Sequence, residues 1–321
     1  MRVEMPGVKP RRLPAHRPCH CPGAAIPVMR GGMIEPIQLP RRLGIIAGGG
    51  PLPGRVAAAA AAAGRGVFVV ALEGFADSAV AGAWPHEWVR IGAAGRIVAA
   101  LREAGSQDVV LIGPVRRPSF RDLRPDLEGA KLVARIGRAA FMGDDGLLSA
   151  IVRVLGEEGF RVLGAHEILD AALGPPGLLS RVGPGADAMA DIRRGLAIAR
   201  AMGGVDVGQG CVVCAGVAVA VEAVEGTDAM LARCGKLMLA LGMPRPGGVL
   251  VKTAKPGQDR RVDLPTIGPD TLRHAAAAGL AGIAYEAGGT ILAEREACIA
   301  LADQHGLFLL GLDPETTLKG S

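Results

Sequence analysis

Short apolar runs alternate with amphipathic or alanine-rich segments along the first half of the chain. A short apolar run that ends in glycine is typical of a buried parallel strand, because such a strand is covered on both faces. We predict strands at residues 43–48, 67–72, 109–113 and 160–164, and helices at about 52–63, 93–104, 128–141 and 145–158. Residues 73–92 show no clear pattern and are predicted to be irregular. This alternation predicts an α/β fold that begins with a right-handed, doubly wound, Rossmann-like parallel sheet.

The second half of the chain mixes hairpin and helix patterns. Helices are predicted at about 187–202 and 227–241, and a strand at 248–252. The apolar segments around Ala215-Gly216 predict a hairpin, and residues 282–285 and 290–294 predict a second one, with a helix on either side of it. A final strand is expected at 307–311. These patterns predict a C-terminal mixed α/β domain.

The segment 174–177, Gly-Pro-Pro-Gly, separates the two halves. Because neither helix nor regular strand continues through it, we predict a linker there, between an N-terminal domain at 41–173 and a C-terminal catalytic domain at 178–321. Residues 1–40 contain eight of the 23 prolines and no periodic apolar face, which predicts a disordered tail. Met29 or Met33 is then a plausible beginning of the functional chain.

Composition narrows the classes of protein that fit. Hydrophobic residues make up 50% of the chain and charged residues 21%, which is typical of globular domains. The net charge of +5 lies mostly in the tail, since residues 1–40 hold six basic and two acidic side chains. Aromatic residues are only 3%, which is few for stacking on bases. We therefore expect no nucleic-acid partner.

The six cysteines do not form a disulfide framework. Cys211 and Cys214 form a Cys-x-x-Cys pair inside a predicted strand, where a spacing of three directs the side chains to opposite faces. Redox and zinc sites place such pairs at a helix start or a tight knuckle. Buried, reduced thiols in a reducing cytosol are the prediction. No apolar run approaches the ~20 residues that span a bilayer, so we expect a cytoplasmic protein.

A glycine-rich loop, Gly48-Gly49-Gly50-Pro51-Leu52, joins the first strand to the first helix. Such loops bring backbone amides close to phosphate at the positive end of a helix. The spacing does not match the dinucleotide fingerprint, because the sixth position is Pro53, and the lysine of a P-loop is missing. The glycines therefore either bind phosphate or only allow a tight turn.

Several charged groups stand at predicted strand ends. Arg116-Arg117 face either phosphate or solvent, and Asp144-Asp145 either begin a helix or face the cleft. Glu222, Glu225 and Asp228 stand where a strand passes into a helix that Thr227 or Asp228 can cap. Three carboxylates exceed what a cap requires, and their oxygens suit a divalent cation. His166, after the strand at 160–164, is either packed or part of the site.

The densest polar cluster spans residues 252–268. It contains Lys252, Lys255, Gln258, Asp259, Arg260, Arg261 and Asp263, with Pro and Gly restraining the backbone. Cations complement a pyrophosphate, and an acid can hold Mg²⁺ or orient water for in-line attack. A solvated loop is the alternative, and the apolar segments on both sides disfavour it.

These segments resemble the UDP-2,3-diacylglucosamine pyrophosphatase family of lipid A biosynthesis, the type unrelated to calcineurin-like phosphoesterases. The resemblance runs from Leu43 to Asp313 and rests on strings that occur in order. The strings are LGIIAGGGPLP, GDDGLLSAIV, EEGFRVLGAHEIL, DVGQGCVVCAGVAVAVEAVEGTDAML, LVKTAKPGQDRRVDLPTIGPDT and AAAGLAGIAYEAGGTI. The tail before Leu43 has no counterpart, and Pro114 stands where polar residues are common.

The resemblance implies Mg²⁺-dependent hydrolysis of UDP-2,3-diacylglucosamine to UMP and 2,3-diacylglucosamine 1-phosphate, in a cleft between the domains. It implies transient contact with the inner face of the inner membrane, and we allow for a homodimer. It points to Asp263 as the catalytic acid, with Asp228 and Lys255 as further catalytic residues. The metal ligands expected are Asp263 and Asp228. The substrate-binding residues expected are Gly49, Gly50, Pro51, Leu52, Thr227, Lys252, Gln258 and Arg261.

A nicotinamide-dependent oxidoreductase of the Rossmann type is the alternative function, with Glu73 holding the ribose. The incomplete fingerprint in the glycine loop counts against it. A catalytically silent nucleotide-sensing module is a further alternative, and the carboxylates of the second half count against that.

Overall fold

A computed structural model describes residues 41–115, 130–131, 134–135, 144–169 and 173–319. The predicted tail and the pair Arg116-Arg117 lie outside these residues. The helix predicted at 128–141 lies largely outside them, and so do the side chains of Asp144 and Asp145. The described part is α/β, as predicted, with a parallel N-terminal sheet and a mixed C-terminal sheet.

The N-terminal half contains β1 (Leu43–Ala47), α1 (Leu52–Ala62), β2 (Val67–Leu72), α2 (Ser78–Gly82), β3 (His86–Val89), α3 (Ala94–Glu103), β4 (Asp108–Ile112), α4 (Asp144–Glu157) and β5 (Arg161–Val162). Its sheet has five parallel strands in the order β3-β2-β1-β4-β5. Alternate residues of β1 pack on opposite faces: Leu43 and Ile45 against α1 and α2, and Ile46 against α3 and α4. Helices therefore cover both faces, which is why the inner strands β1 and β2 are apolar throughout.

The C-terminal half contains β6 (Gly177–Leu178), α5 (Ala186–Gly204), β7 (Gly210–Cys214), β8 (Val217–Val221), α6 (Gly226–Ala240), β9 (Val249–Lys252), β10 (Thr266–Ile267), α7 (Pro269–Ala278), β11 (Gly282–Glu286), β12 (Ile291–Leu292), α8 (Arg295–His305), β13 (Phe308–Leu312) and α9 (Pro314–Lys319). Its main sheet has six strands in the order β6-β13-β11-β9-β7-β8. The centre of this sheet is parallel, and β6, β7 and β8 join antiparallel to their neighbours. One face packs on α5, and the other on α6, α7 and α8.

The predicted hairpin around Ala215-Gly216 is present as β7 and β8, and the second predicted hairpin is wrong. Strand β11 lies between β9 and β13, parallel to both, whereas β12 pairs with β10 in a separate two-stranded sheet. Local alternation therefore identified the strands and not their partners, which lie far away in the chain. The segment 73–92, predicted to be irregular, contains α2 and the edge strand β3.

The prediction of buried thiols is confirmed for the described cysteines. Cys211 packs on the α5 face of β7 and Cys214 on the opposite face, and both are buried. Burial raises the pKa of the Cys211 thiol to about 12. A thiol of this kind is a packing group and not a nucleophile at neutral pH.

The predicted linker is attached to the C-terminal sheet. The Gly174 amide donates to the Thr290 carbonyl at 2.8 Å, and the Tyr285 hydroxyl donates to the Pro175 carbonyl at 2.9 Å. Gly177 begins β6, which pairs with β13. The predicted linker is thus hydrogen-bonded to the C-terminal half of the fold.

Candidate functional site

A cleft of about 620 Å³ opens at the carboxyl ends of the N-terminal strands. Parallel α/β sheets commonly bind ligands at this end, where the loops leave the strands. The opposite wall comes from the C-terminal half, chiefly from the end of β9 and residues 260–266. The two halves of the fold thus meet around one cavity.

The two walls of the cleft differ in polarity. Aliphatic side chains from the N-terminal half make one wall mostly apolar, with His166 as the ionisable side chain among them. The other wall presents cationic, acidic and amide groups beside Val262, Leu264 and Ile291. The apolar wall contains Ile46, Leu52, Leu72, Ile91, Leu111, Ile112, Leu147, Leu148 and Ile151, and the polar groups are Gln209, Lys252, Arg260, Arg261, Asp263 and Thr266. A ligand that is apolar at one end and anionic at the other fits such a cavity.

Lys252 ends β9 with its side chain almost entirely buried, at 4% exposure. Its ammonium donates to the Thr227 hydroxyl at 2.7 Å and to the Thr266 carbonyl at 3.3 Å. Thr227 in turn donates to Glu222 Oε1 at 2.8 Å, and the other Glu222 oxygen lies 3.8 Å from the ammonium. The predicted residues Thr227 and Lys252 therefore belong to one network, and within it Lys252 and Thr266 line the cleft.

Asp263 lies on the cleft wall, on the loop after β9. Its Oδ2 accepts a hydrogen bond from Gln258 Nε2 at 2.6 Å and lies 4.0 Å from the ammonium of Lys255. Gln258 Oε1 accepts from the Lys255 backbone amide at 3.0 Å. Three of the predicted residues thus form a single contact group.

Two arginines on the same loop are held by carboxylates. Arg261 pairs with Asp259 at 2.7 Å, and the hydrogen bond from Arg261 lowers the pKa of Asp259. Arg260 pairs with Glu286 at 3.0 Å, and Glu286 also accepts from the Ala254 amide. Glu286, which sequence reasoning missed, therefore joins the start and the middle of the loop to β11. No local pattern around residue 286 indicates this role, because its partners are far away in the chain.

The glycine loop serves first to bring two backbones together. The Gly48 amide donates to the Ile112 carbonyl at 2.9 Å, and the Gly49 amide to the Pro114 carbonyl at 3.0 Å. A side chain at Gly48 would collide with the Gly113 carbonyl oxygen. These two amides are therefore already hydrogen-bonded to a neighbouring backbone, which is the tight-turn alternative for this part of the loop. Gly48 and Leu52 line the cleft, and the predicted residues Gly49, Gly50 and Pro51 lie between them.

Asp228 lies apart from this group. Its side chain is 60% exposed in the first turn of α6, and Oδ1 lies 3.1 Å from His274 Nδ1. Within the described part of the chain, no three His, Cys, Asp or Glu side chains are arranged to hold a metal ion. Asp263 is therefore the acid that lines the cleft, and the structure does not bring Asp228 to it.

Comparisons with known proteins cover almost all of the described residues. The LpxI N-terminal domain matches residues 42–172, and the LpxI C-terminal domain matches residues 175–310. The chain is 48% identical over 277 residues to the UDP-2,3-diacylglucosamine pyrophosphatase LpxI of Caulobacter vibrioides, covering 86% of this chain and 99% of that protein. These matches favour the pyrophosphatase resemblance over the nicotinamide alternative, and the chain belongs to the LpxI family.

Proposed function

We propose that this protein hydrolyses the pyrophosphate bond of UDP-2,3-diacylglucosamine, releasing UMP and 2,3-diacylglucosamine 1-phosphate, with Mg²⁺ as cofactor. The observation that carries the proposal is the contrast between the two cleft walls. Two acyl chains need an apolar surface and a pyrophosphate needs cations, and the cleft offers both within one cavity. Membership of the LpxI family supports the same substrate.

The proposed role of each group in the cleft follows from its chemistry. Lys252 places a buried positive charge at the carboxyl end of β9, where it can neutralise a phosphate oxygen. Arg261 offers a planar guanidinium for the same group. The aliphatic wall near α4 excludes water and holds the acyl chains. In the reaction, water oxygen bonds to one phosphorus as the bridging P–O bond breaks, and the departing phosphate keeps the bridging oxygen.

The residues of the cleft fit a substrate-bound Mg²⁺. Asp263 Oδ2 takes the hydrogen bond from Gln258, whereas Oδ1 accepts no hydrogen bond from a described residue. Mg²⁺ is usually held by one or two carboxylates together with substrate phosphate oxygens, so Asp263 alone suffices as the protein ligand. The ion would stabilise the negative charge that develops on the phosphate oxygens.

The test is turnover of the pure protein on UDP-2,3-diacylglucosamine with Mg²⁺, followed by UMP release, and with chelator in place of the metal. UDP-N-acetylglucosamine, which has no long acyl chains, serves as the comparison substrate. Leu148→Glu places a charge on the apolar wall and should raise KM for the diacylated substrate. Ser149→Glu, on the exposed neighbouring position of α4, is the matched control. Absence of UMP release, or equal turnover of both substrates, would refute the proposal.

We also propose transient contact with the cytoplasmic face of the inner membrane, where a diacylated substrate resides. Among the described helices, none is long and apolar enough to cross a bilayer. Val205 and Val224 are highly exposed. The loops that carry them contact each other, because Gly208 packs against the carbonyl group of Glu222. Val205→Ser with Val224→Ser should reduce co-sedimentation with vesicles that contain the substrate. Val217→Ser, at an exposed position of β8, should not, and equal binding by all variants would refute this contact.

A further inference from the structure

His166 lies in a short 3₁₀ turn, Ala165–Glu167, that follows the carboxyl end of β5. Two hydrogen bonds close this turn. The Glu167 amide donates to the Gly164 carbonyl at 3.0 Å, and the Gly164 amide donates to Glu167 Oε1 at 2.7 Å. The backbone that carries the imidazole is therefore held at the end of the sheet where parallel α/β folds bind ligands.

The imidazole ring of His166 packs against Gly164 and lines the cleft. A Cβ at residue 164 would collide with Cε1 of the ring, so a larger residue would displace the ring from this position. The backbone itself does not require glycine here, because Gly164 has φ of −77°, which any residue can adopt. The space that the ring occupies is what requires it.

The two ring nitrogens of His166 are not equivalent. Nδ1 is buried and has no hydrogen-bond partner among the described residues. A proton on Nδ1 would therefore be an enclosed donor without an acceptor, and such donors are rarer in proteins than unpaired acceptors. A neutral imidazole carries one proton, so these surroundings favour the tautomer that carries it on Nε2. Nε2 is thus the nitrogen that can donate a hydrogen bond to a ligand.

The cationic loop of the C-terminal half lies close to this turn. Arg261 lines the same cleft as His166. The hydrogen bond to Asp259 and, more weakly, the charge of Glu167 raise the pKa of Arg261, so the turn and the guanidinium are within electrostatic range of each other. An anion bound by Arg261 in the cleft would therefore lie near the imidazole of His166.

We propose that His166 is a substrate-binding residue, whose Nε2–H donates a hydrogen bond to a phosphate oxygen of the pyrophosphate from the wall opposite Arg261. This inference rests on the proposed pyrophosphatase function and adds a residue of the N-terminal half to the polar side chains described above. The imidazole acts as a neutral donor in this role and takes no proton from the attacking water. Donors on both walls would restrict the orientation of the pyrophosphate, which an oriented displacement requires.

Substitutions at His166 separate a donor from a base. His166→Gln keeps an N–H near the position of Nε2, whereas His166→Ala removes it. We expect kcat/KM for UDP-2,3-diacylglucosamine to fall about 10- to 100-fold in His166→Ala, the range expected from the loss of a hydrogen bond to a charged group. His166→Gln should retain most of the wild-type value and the same pH profile. Loss of a general base would instead impair both variants and change the pH profile.

Gly164→Ala is an independent test, because the added methyl group should displace the ring while the imidazole stays in the protein. It should lower kcat/KM about as much as His166→Ala does. In the His166→Ala background it should add nothing, since there is no ring to displace. His305→Gln, at an exposed position in the last turn of α8, is the matched control and should leave kcat/KM unchanged.

Wild-type kcat/KM in His166→Ala would overturn the inference, and so would an equally large loss in His166→Gln. An equal loss from Gly164→Ala with and without the ring would also contradict it. If each loss of kcat/KM accompanies a fall in melting temperature, His166 has only a packing role. Absence of UMP release by the wild-type protein would refute the proposed function first, and that outcome is distinct from all of these.

Discussion

The ammonium nitrogen of Lys252 lies 2.7 Å from the hydroxyl oxygen of Thr227. This contact joins the end of a central strand to the first turn of α6, across 25 residues of chain. Thr227 also donates to Glu222, so one hydroxyl links a buried cation to a buried carboxylate. Both ions are buried, and such pairs depend on the hydrogen bonds around them.

Thr227→Val should weaken substrate binding by removing this link while keeping the shape of the side chain. It leaves a lysine N–H and a carboxylate oxygen unpaired, which costs about 1–3 kcal/mol. We expect KM to rise about tenfold and the melting temperature to fall by several degrees. Thr253→Val is the control, because the Thr253 hydroxyl is buried without a hydrogen bond to a described residue. Similar kinetics for both variants would show that the network does not orient Lys252.

Asp263→Asn should abolish most of the turnover without unfolding the protein. The asparagine oxygen can still accept from Gln258, so the loop keeps its hydrogen bond. The charge that faces the cleft is lost, and removal of one electrostatic contact commonly costs about 10²–10³ in kcat. Steady-state UMP release would measure the loss of turnover, and a binding isotherm for the substrate would show separately whether binding changes. Asp270→Asn, in the exposed first turn of α7, should remain active. Near-normal turnover by Asp263→Asn would place the catalytic acid elsewhere.

Most of the secondary structure follows from the local pattern. The buried strands β1 and β2 are continuous apolar runs, as is β4 after Asp108, and the helices α5 and α6 fall within two residues of their predicted bounds. Edge strand β3 was missed because its pattern is short and mixed, with an exposed Trp88 and a charged Glu87. The separation of β11 from β12 could not be predicted, since strand partners depend on contacts between distant segments.

The site was predictable where its residues are neighbours in sequence. Lys252 and Asp263 lie on one polar segment between apolar ones, so the pattern itself indicates a functional loop. Asp206 precedes Lys255 by 49 residues, and nothing local indicates that their side chains meet. The Gly48 amide shows why two alternatives stayed open for the glycine loop, because a glycine-rich turn has the same pattern whether its amides meet phosphate or a neighbouring backbone.

The described cysteines should resist alkylation in the folded protein. Burial raises the pKa of Cys211 and Cys298 to about 12 and that of Cys234 to about 11, so near pH 8 the thiolate form is rare. Treatment with N-ethylmaleimide and peptide mass spectrometry should find these side chains unmodified until denaturant is added. Rapid modification of Cys211 in the native state would show that β7 opens locally, or that the Cys-x-x-Cys pair is accessible.

The Asp108 carboxylate should make stability depend on pH in the acid range. It is fully buried at the start of β4, and Arg41, Arg65 and Arg161 contact it. Burial alone disfavours the charged form, but hydrogen bonds from Arg161 and Arg65 outweigh that effect and lower the pKa of Asp108 below its usual value. Asp108 of β4 and Arg161 of β5 thus belong to one charge cluster, which joins these two strands at the amino end of the sheet.

Because the folded pKa lies below the unfolded value of about 3.9, this stabilisation is complete above the unfolded pKa and is lost as pH falls through the folded one. Asp108→Asn should therefore lower the free energy of unfolding near pH 7 by about 2–3 kcal/mol, less than for a fully buried pair because two of the arginines are half exposed. Urea unfolding of both proteins should show this difference shrinking as the pH falls below about 4. Asp187→Asn, at an exposed position in the first turn of α5, should change stability by well under half as much. A difference that stays constant across that range would mean that packing, and not the charge of Asp108, stabilises this end of the sheet.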